Sequence, residues 1–154
     1  MIETKELSNG VRVIVKHMEG LLSVHIVVLV RPGAAYETDA EDGISHFIEH
    51  MLFKGTNTRT AFELSDAFDA LGAQVNAFTG KDMTCFYSKA TSDHAAEAFA
   101  LLADLFLNSV FPEDEMAREK GVVVEEIHMD EDTPEDLCLY LLARTAFRNS
   151  NYAR

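Results

Sequence analysis

Residues 42–55, DGISHFIEHMLFKG, decide how this chain is read. Ile44, Phe47, Ile48, Met51 and Leu52 recur at helical spacing and predict an apolar stripe that faces a core. His46, Glu49, His50 and Phe53 form a second stripe on another face. Residues four apart on a helix stack on one side, so the two imidazoles can chelate one metal ion. Glu49 lies beside them and can reach water at that metal without being a ligand. The order His-x-x-Glu-His is the inverted form of the zinc-protease helix motif. The bland alternative is a pair of ordinary histidines, but the hydrophobic face is complete without them.

A helix is expected over about 42–54, with Gly55 as its stop. Upstream, residues 10–16 alternate as a strand. Residues 23–31 are rich in β-branched side chains and suit a central strand covered on both faces. Downstream, Thr60-x-x-Glu63 is a capping-box pattern that opens a second helix, and Gly72 ends it. Residues 73–90 read as two strands joined near Gly80-Lys81-Asp82, or as one long bent strand. Ser92 is expected to cap a third helix whose core stripe is Ala96, Phe99, Ala100, Ala103, Phe106 and Leu107. Pro112 opens a fourth helix, running to about Met129, with Glu113, Asp114 and Glu115 favourable in its first turn. Thr133-Pro134 caps and opens a fifth, ending near Phe147. Early strands and later helices, without repeats, predict an α+β fold: a mainly antiparallel sheet with helices packed on one face.

A catalytic zinc takes three protein ligands and leaves one position open. The fourth helix offers Glu119 and Glu126, on one face with Val122 and Val123, and Glu125 is the neighbouring alternative. A carboxylate among valines is costly to bury unless it is paired or bound to a cation. A solvated helix face is the competing reading for both glutamates.

The chain has 154 residues and a formal net charge of -13, which disfavours nucleic acid and acidic membrane surfaces as partners. Cys85 and Cys138 sit in apolar contexts and read as buried core residues. The first residues lack the basic-then-apolar pattern of a signal peptide, and the run 24–30, which includes His25, is too short to span a bilayer. A cytoplasmic location is the resulting expectation. The end at residue 154 has no terminating element, so a single domain over 1–154, truncated from a longer two-domain chain, is expected.

Residues 43–56 resemble the zinc motif of the pitrilysin and mitochondrial processing peptidase family. Asn76-Ala77-Phe78-Thr79 resembles that family's substrate-edge strand, residues 119–127 its third-ligand helix, and Asp132-Thr133-Pro134 the turn that follows. The resemblance covers nearly the whole chain. It implies one zinc ion held by His46, His50 and Glu126, with Glu49 as general base. It implies Glu119 as a supporting carboxylate that orients His50 or the water. It also implies Asn76 and Ala77 as contacts for an extended peptide, and Phe53 as part of a pocket near the zinc. Family members work as two similar halves, the second supplying an Arg and Tyr pair, so a homodimer or a homologous partner subunit is implied. The implied activity is endopeptidase cleavage of extended or presequence-like peptides. The family also includes non-catalytic structural or peptide-binding subunits, core subunits of a respiratory cytochrome complex among them. A closed structural zinc site is a third reading, but His25, His94 and His128 are poorly placed to supply a fourth ligand.

Overall fold

In the computed structural model, residues 1–31 and 33–153 are described. The chain begins with a hairpin of β1 (Ile2–Glu6) and β2 (Arg12–Lys16), paired antiparallel. β3 (Ser23–Val30), β4 (Gln74–Thr79) and β5 (Thr84–Thr91) form a separate antiparallel sheet in the order β3-β5-β4. Between β3 and β4 lie α1 (Ile44–Leu52) and α2 (Ala61–Ala70). After β5 come α3 (Ala95–Leu107), α4 (Glu113–Asp132) and α5 (Pro134–Ala146). The expected antiparallel sheet with helices on one face is therefore the observed architecture.

Strand alternation decides which face is covered. Val24, Ile26, Val28 and Val30 of β3 line up with Ala90, Ser88, Phe86 and Thr84 of β5. Val75, Ala77 and Thr79 of β4 share that register row by row. Most of these side chains pack against a core of Leu52, Leu64, Phe68, Phe86, Ala98, Leu101, Leu102 and Leu105. Each large apolar side chain buried there contributes about 1.5–3 kcal/mol relative to leaving it in water. The opposite face carries Val27, Leu29 and Phe78, all exposed.

Several expectations are corrected. β3 is an edge strand of its sheet, covered on one face, because it pairs with β5 alone among the described strands. β1 lies outside every strand foreseen, and both faces of its hairpin are exposed. The third helix turns a different stripe inward: Ala98, Leu101, Leu102 and Leu105 are buried, while Phe99 and Leu107 are exposed. α3 is apolar nearly all round, so helical spacing fits either stripe and cannot choose between them. On α1 the buried positions are Met51 and Leu52, and Ile44 and Ile48 remain exposed. Ser92 opens a 3-10 turn and makes no capping bond, and the Thr133 hydroxyl donates back to the Met129 carbonyl instead of capping α5. Cys85 is buried as expected, but Cys138 is exposed. The capping box of α2 is present in full, with Glu63 N–H donating to Thr60 Oγ1 and Thr60 N–H to Glu63 Oε2. Among the described residues, no helix is long and apolar enough to cross a membrane.

Candidate metal centre

α1 packs against both α4 and β4, and the site is built where the three meet. The i, i+4 spacing on α1 stacks His46 over His50, with their Nε2 atoms 3.0 Å apart. α4 brings Glu126 to the same place: its Oε2 lies 3.4 Å from His50 Nε2 and 3.7 Å from His46 Nε2. Among the described residues, this is the one group of three such side chains whose ligand atoms converge, all within 4.8 Å of one another. Two ligands about 2.0–2.1 Å from a tetrahedral ion lie about 3.3 Å apart. The three separations bracket that spacing, and two imidazoles with one carboxylate are a donor set suited to zinc. The residues therefore fit the ion.

Glu119, one of two buried carboxylates among the described residues, stands behind the triad. Its Oε1 is 2.8 Å from His50 Nδ1, and its Oε2 is 2.5 Å from Lys54 Nζ. If Nδ1 carries the proton and donates to Glu119, the Nε2 lone pair of His50 is left for the ion. Burial pushes the Glu119 carboxyl upward, but hydrogen bonds and charge from Lys54 and His50 outweigh it and hold it below the ordinary range. His50 and Glu119 form the enclosed side of the site. His46 and Glu126, each with 42% of the side chain accessible, form the open side.

Glu49 faces β4, where its Oε2 accepts a 2.5 Å hydrogen bond from Thr79 Oγ1. One carboxylate oxygen is thereby anchored. β4 pairs with β5 on one side only, so its other edge has no strand partner among the described residues. Asn76 is exposed on the outer face, and its Oδ1 accepts from the N–H of Ala77, whose methyl group packs on the core. Phe53, expected beside the zinc, is partly buried and packs against the hydrophobic core at the end of α1. Glu125 is exposed, turned away from the Glu119 face.

Sequence reasoning missed three residues. Lys54 follows His46 and His50 at the same four-residue spacing, a signal that was available. Thr79 closes the Asn76–Thr79 motif, and its partner across the fold is not visible in one dimension. Glu37 is buried, and its carboxylate accepts from the N–H groups of Gly43 (2.7 Å) and Ser45 (2.8 Å) at the start of α1. Nothing local in the sequence announces it.

A helix bearing His-x-x-Glu-His, met by a carboxylate from a second helix beside an open strand edge, defines a metallopeptidase-type domain. The family model for Insulinase (Peptidase family M16) matches residues 12–154, and the chain belongs to that family. An uncharacterized zinc protease of Bacillus subtilis, YmxG, is 46% identical over 149 residues, covering 97% of this chain and 36% of that protein. One from Rickettsia bellii is 39% identical over 144 residues, covering 94% of this chain and 35% of its own length. The chain thus spans about a third of the length of these curated relatives. Among solved structures, a protease from Helicobacter pylori superposes with a TM-score of 0.93 at 26% identity, over 99% of this chain and 37% of that one. A peptidase M16 inactive domain from Pseudomonas fluorescens has the same fold, with a TM-score of 0.90 at 20% identity, over 100% of this chain and 38% of that one.

Proposed function

We propose that this chain is the zinc-binding part of an endopeptidase that hydrolyses extended peptides, presequence-like ones included. One observation carries the reading: His46, His50 and Glu126 bring their ligand atoms within 4.8 Å of one another. The relatives' names as zinc proteases support the same ion. Bound there, zinc supplies Lewis acidity, polarising a carbonyl oxygen and lowering the pKa of water.

The remaining work falls to the chain's own side chains. Glu49 is the general base. Its Oε2 is fixed by Thr79, and its Oε1 is left to take a proton from water and return it to the departing amine. Glu119 positions His50 and is itself held by Lys54. The edge of β4 that has no strand partner among the described residues offers main-chain hydrogen bonds to a peptide in extended form, with Asn76 and Ala77 at the point of contact. A second half, from a longer chain, from another copy or from a homologous subunit, completes the peptide chamber.

Non-catalytic members of the same fold tend to lose the metal-site residues, and the presence here of His46, Glu49, His50 and Glu126 favours the enzyme. The test is zinc content together with peptidase rate, in the full chain. Glu49→Gln is expected to retain zinc and lose turnover, and His50→Ala to lose both. Equal rates for Glu49→Gln and the parent would remove Glu49 as the base. Equal zinc in His50→Ala would remove the metal site.

A further inference from the structure

α1 carries both ligand histidines, yet its N-cap residue offers no side chain to cap it: that residue is Gly43, in a left-handed conformation with φ 86°. The first-turn amides of a helix need acceptors. Here they come from Glu37, whose Oε2 accepts from Gly43 N–H and Oε1 from Ser45 N–H. Glu37 is only 4% exposed, and so large a burial of a carboxylate is sustained by what it binds. Its segment is tied in turn to the β4–β5 turn. Ala34 N–H donates to the Gly80 carbonyl (3.1 Å), and Ala35 N–H donates to the Lys81 carbonyl (2.8 Å). Asn151 Nδ2 donates to the Ala35 and Glu37 carbonyls from the other side. The strand entering that turn ends in Thr79, the residue that holds Glu49.

We infer that Glu37 is a positioning residue for the metal centre, clamping the first turn of α1, where His46 sits, to the end of β4. The inference rests on the zinc reading above. Both carboxylate oxygens are needed, because each meets a different N–H. A glutamine offers one acceptor and turns its amide hydrogens on the other donor. The clamp lost, the first turn frays, and His46 is no longer held over His50.

The test compares the full chain with its Glu37→Gln variant. Zinc affinity is read by competition with a chelating chromophore, and order in the first turn by hydrogen exchange at the amides of residues 43–47. Thr60→Ala is the control, since it removes the cap of α2 and so lowers stability without touching α1. Glu37→Gln is expected to lower zinc affinity about tenfold or more and to speed exchange over 43–47, while Thr60→Ala lowers the Tm and leaves zinc affinity as in the parent. Parent-like affinity in Glu37→Gln overturns the inference, as does an equal loss in Thr60→Ala. Where Glu37→Gln does not fold, Glu37→Asp is read by the same criteria. It keeps the charge but is one methylene too short to reach both amides. A parent chain that bound no zinc would remove the metal reading, and the exchange measurement would still decide whether Glu37 orders α1.

Discussion

Removing the Lys54 ammonium should damage a site it does not touch directly. Lys54 Nζ lies 2.5 Å from Glu119 Oε2, and Glu119 Oε1 lies 2.8 Å from His50 Nδ1. In Lys54→Met the aliphatic stem is kept and the charge is lost, leaving a buried carboxylate with one partner. Breaking a fully buried pair costs about 3–5 kcal/mol, and an exposed pair is worth under about 1 kcal/mol. The Lys54 side chain keeps a quarter of its surface in water, so screening discounts the buried figure to about 2 kcal/mol. The cost also depends on pH. Glu119 is depressed below its ordinary value of 4.5, so its contribution is complete above that pH and is lost as pH falls through the lower folded value. Without Lys54, burial acts with less opposition, and the loss moves to higher pH. The assay is urea denaturation of the metal-free protein at pH 7 and at pH 4, for the parent, Lys54→Met, Glu119→Gln and the double variant. A coupling of about 2 kcal/mol at pH 7, shrinking at pH 4, is expected. A coupling under about 0.5 kcal/mol at pH 7 would refute the view that Lys54 sustains the buried acid.

Thr79→Val removes the hydroxyl that anchors Glu49 at nearly constant volume. Turnover should fall about tenfold to a hundredfold with zinc content unchanged, as read by steady-state kinetics and metal analysis. Asp104 accepts from Asn108, Thr56 and Arg59, in that order of effect, which holds its carboxyl below the ordinary range. Its stabilisation is therefore present above about pH 4 and lost as pH falls through the folded value. Thermal melts from pH 5 to pH 2 should show a flatter profile for Asp104→Asn than for the parent. At Gly33 an added methyl group would lie 2.4 Å from the Gly80 carbonyl oxygen and 2.4 Å from the Met83 nitrogen, both backbone atoms. Gly33→Ala should accordingly lower stability by about 1–3 kcal/mol or more, measured by chemical denaturation.

Local chemistry was legible where it is written in neighbouring residues. Thr60 and Glu63 spell a capping box, Pro134 marks the start of α5, and the spacing of His46 and His50 places two rings on one helical face. The cost of burying a carboxylate among valines made Glu119 and Glu126 candidates, and only the family resemblance chose Glu126. The structure sets Glu126 within 3.7 Å of both imidazole Nε2 atoms, yet leaves it and Val122 partly in water, so the burial argument holds for Glu119 instead. What escaped was long-range or degenerate. Glu37 serves amides beyond an intervening loop, and Thr79 meets Glu49 only after a helix and a strand have folded between them. The stripe of α3 was ambiguous because alanine, leucine and phenylalanine surround the helix, and only the sheet beneath selects Leu102 and Leu105 over Phe99. The edge position of β3 depends on which strands pair, information that β-branched composition does not carry.

Among the described residues β4 has no strand partner along the edge that carries Asn76 and Ala77, and its last residue, Thr79, holds Glu49, the acid proposed to activate water. The two tasks share one short ribbon of backbone. If peptides dock along that edge, as proposed above, they would tug on Thr79, and occupancy would be felt at Glu49 through the strand itself. Changes that twist residues 76–78 should alter the chemical step more than the hold on the ion, a mechanical route between grip and reaction that bypasses the metal.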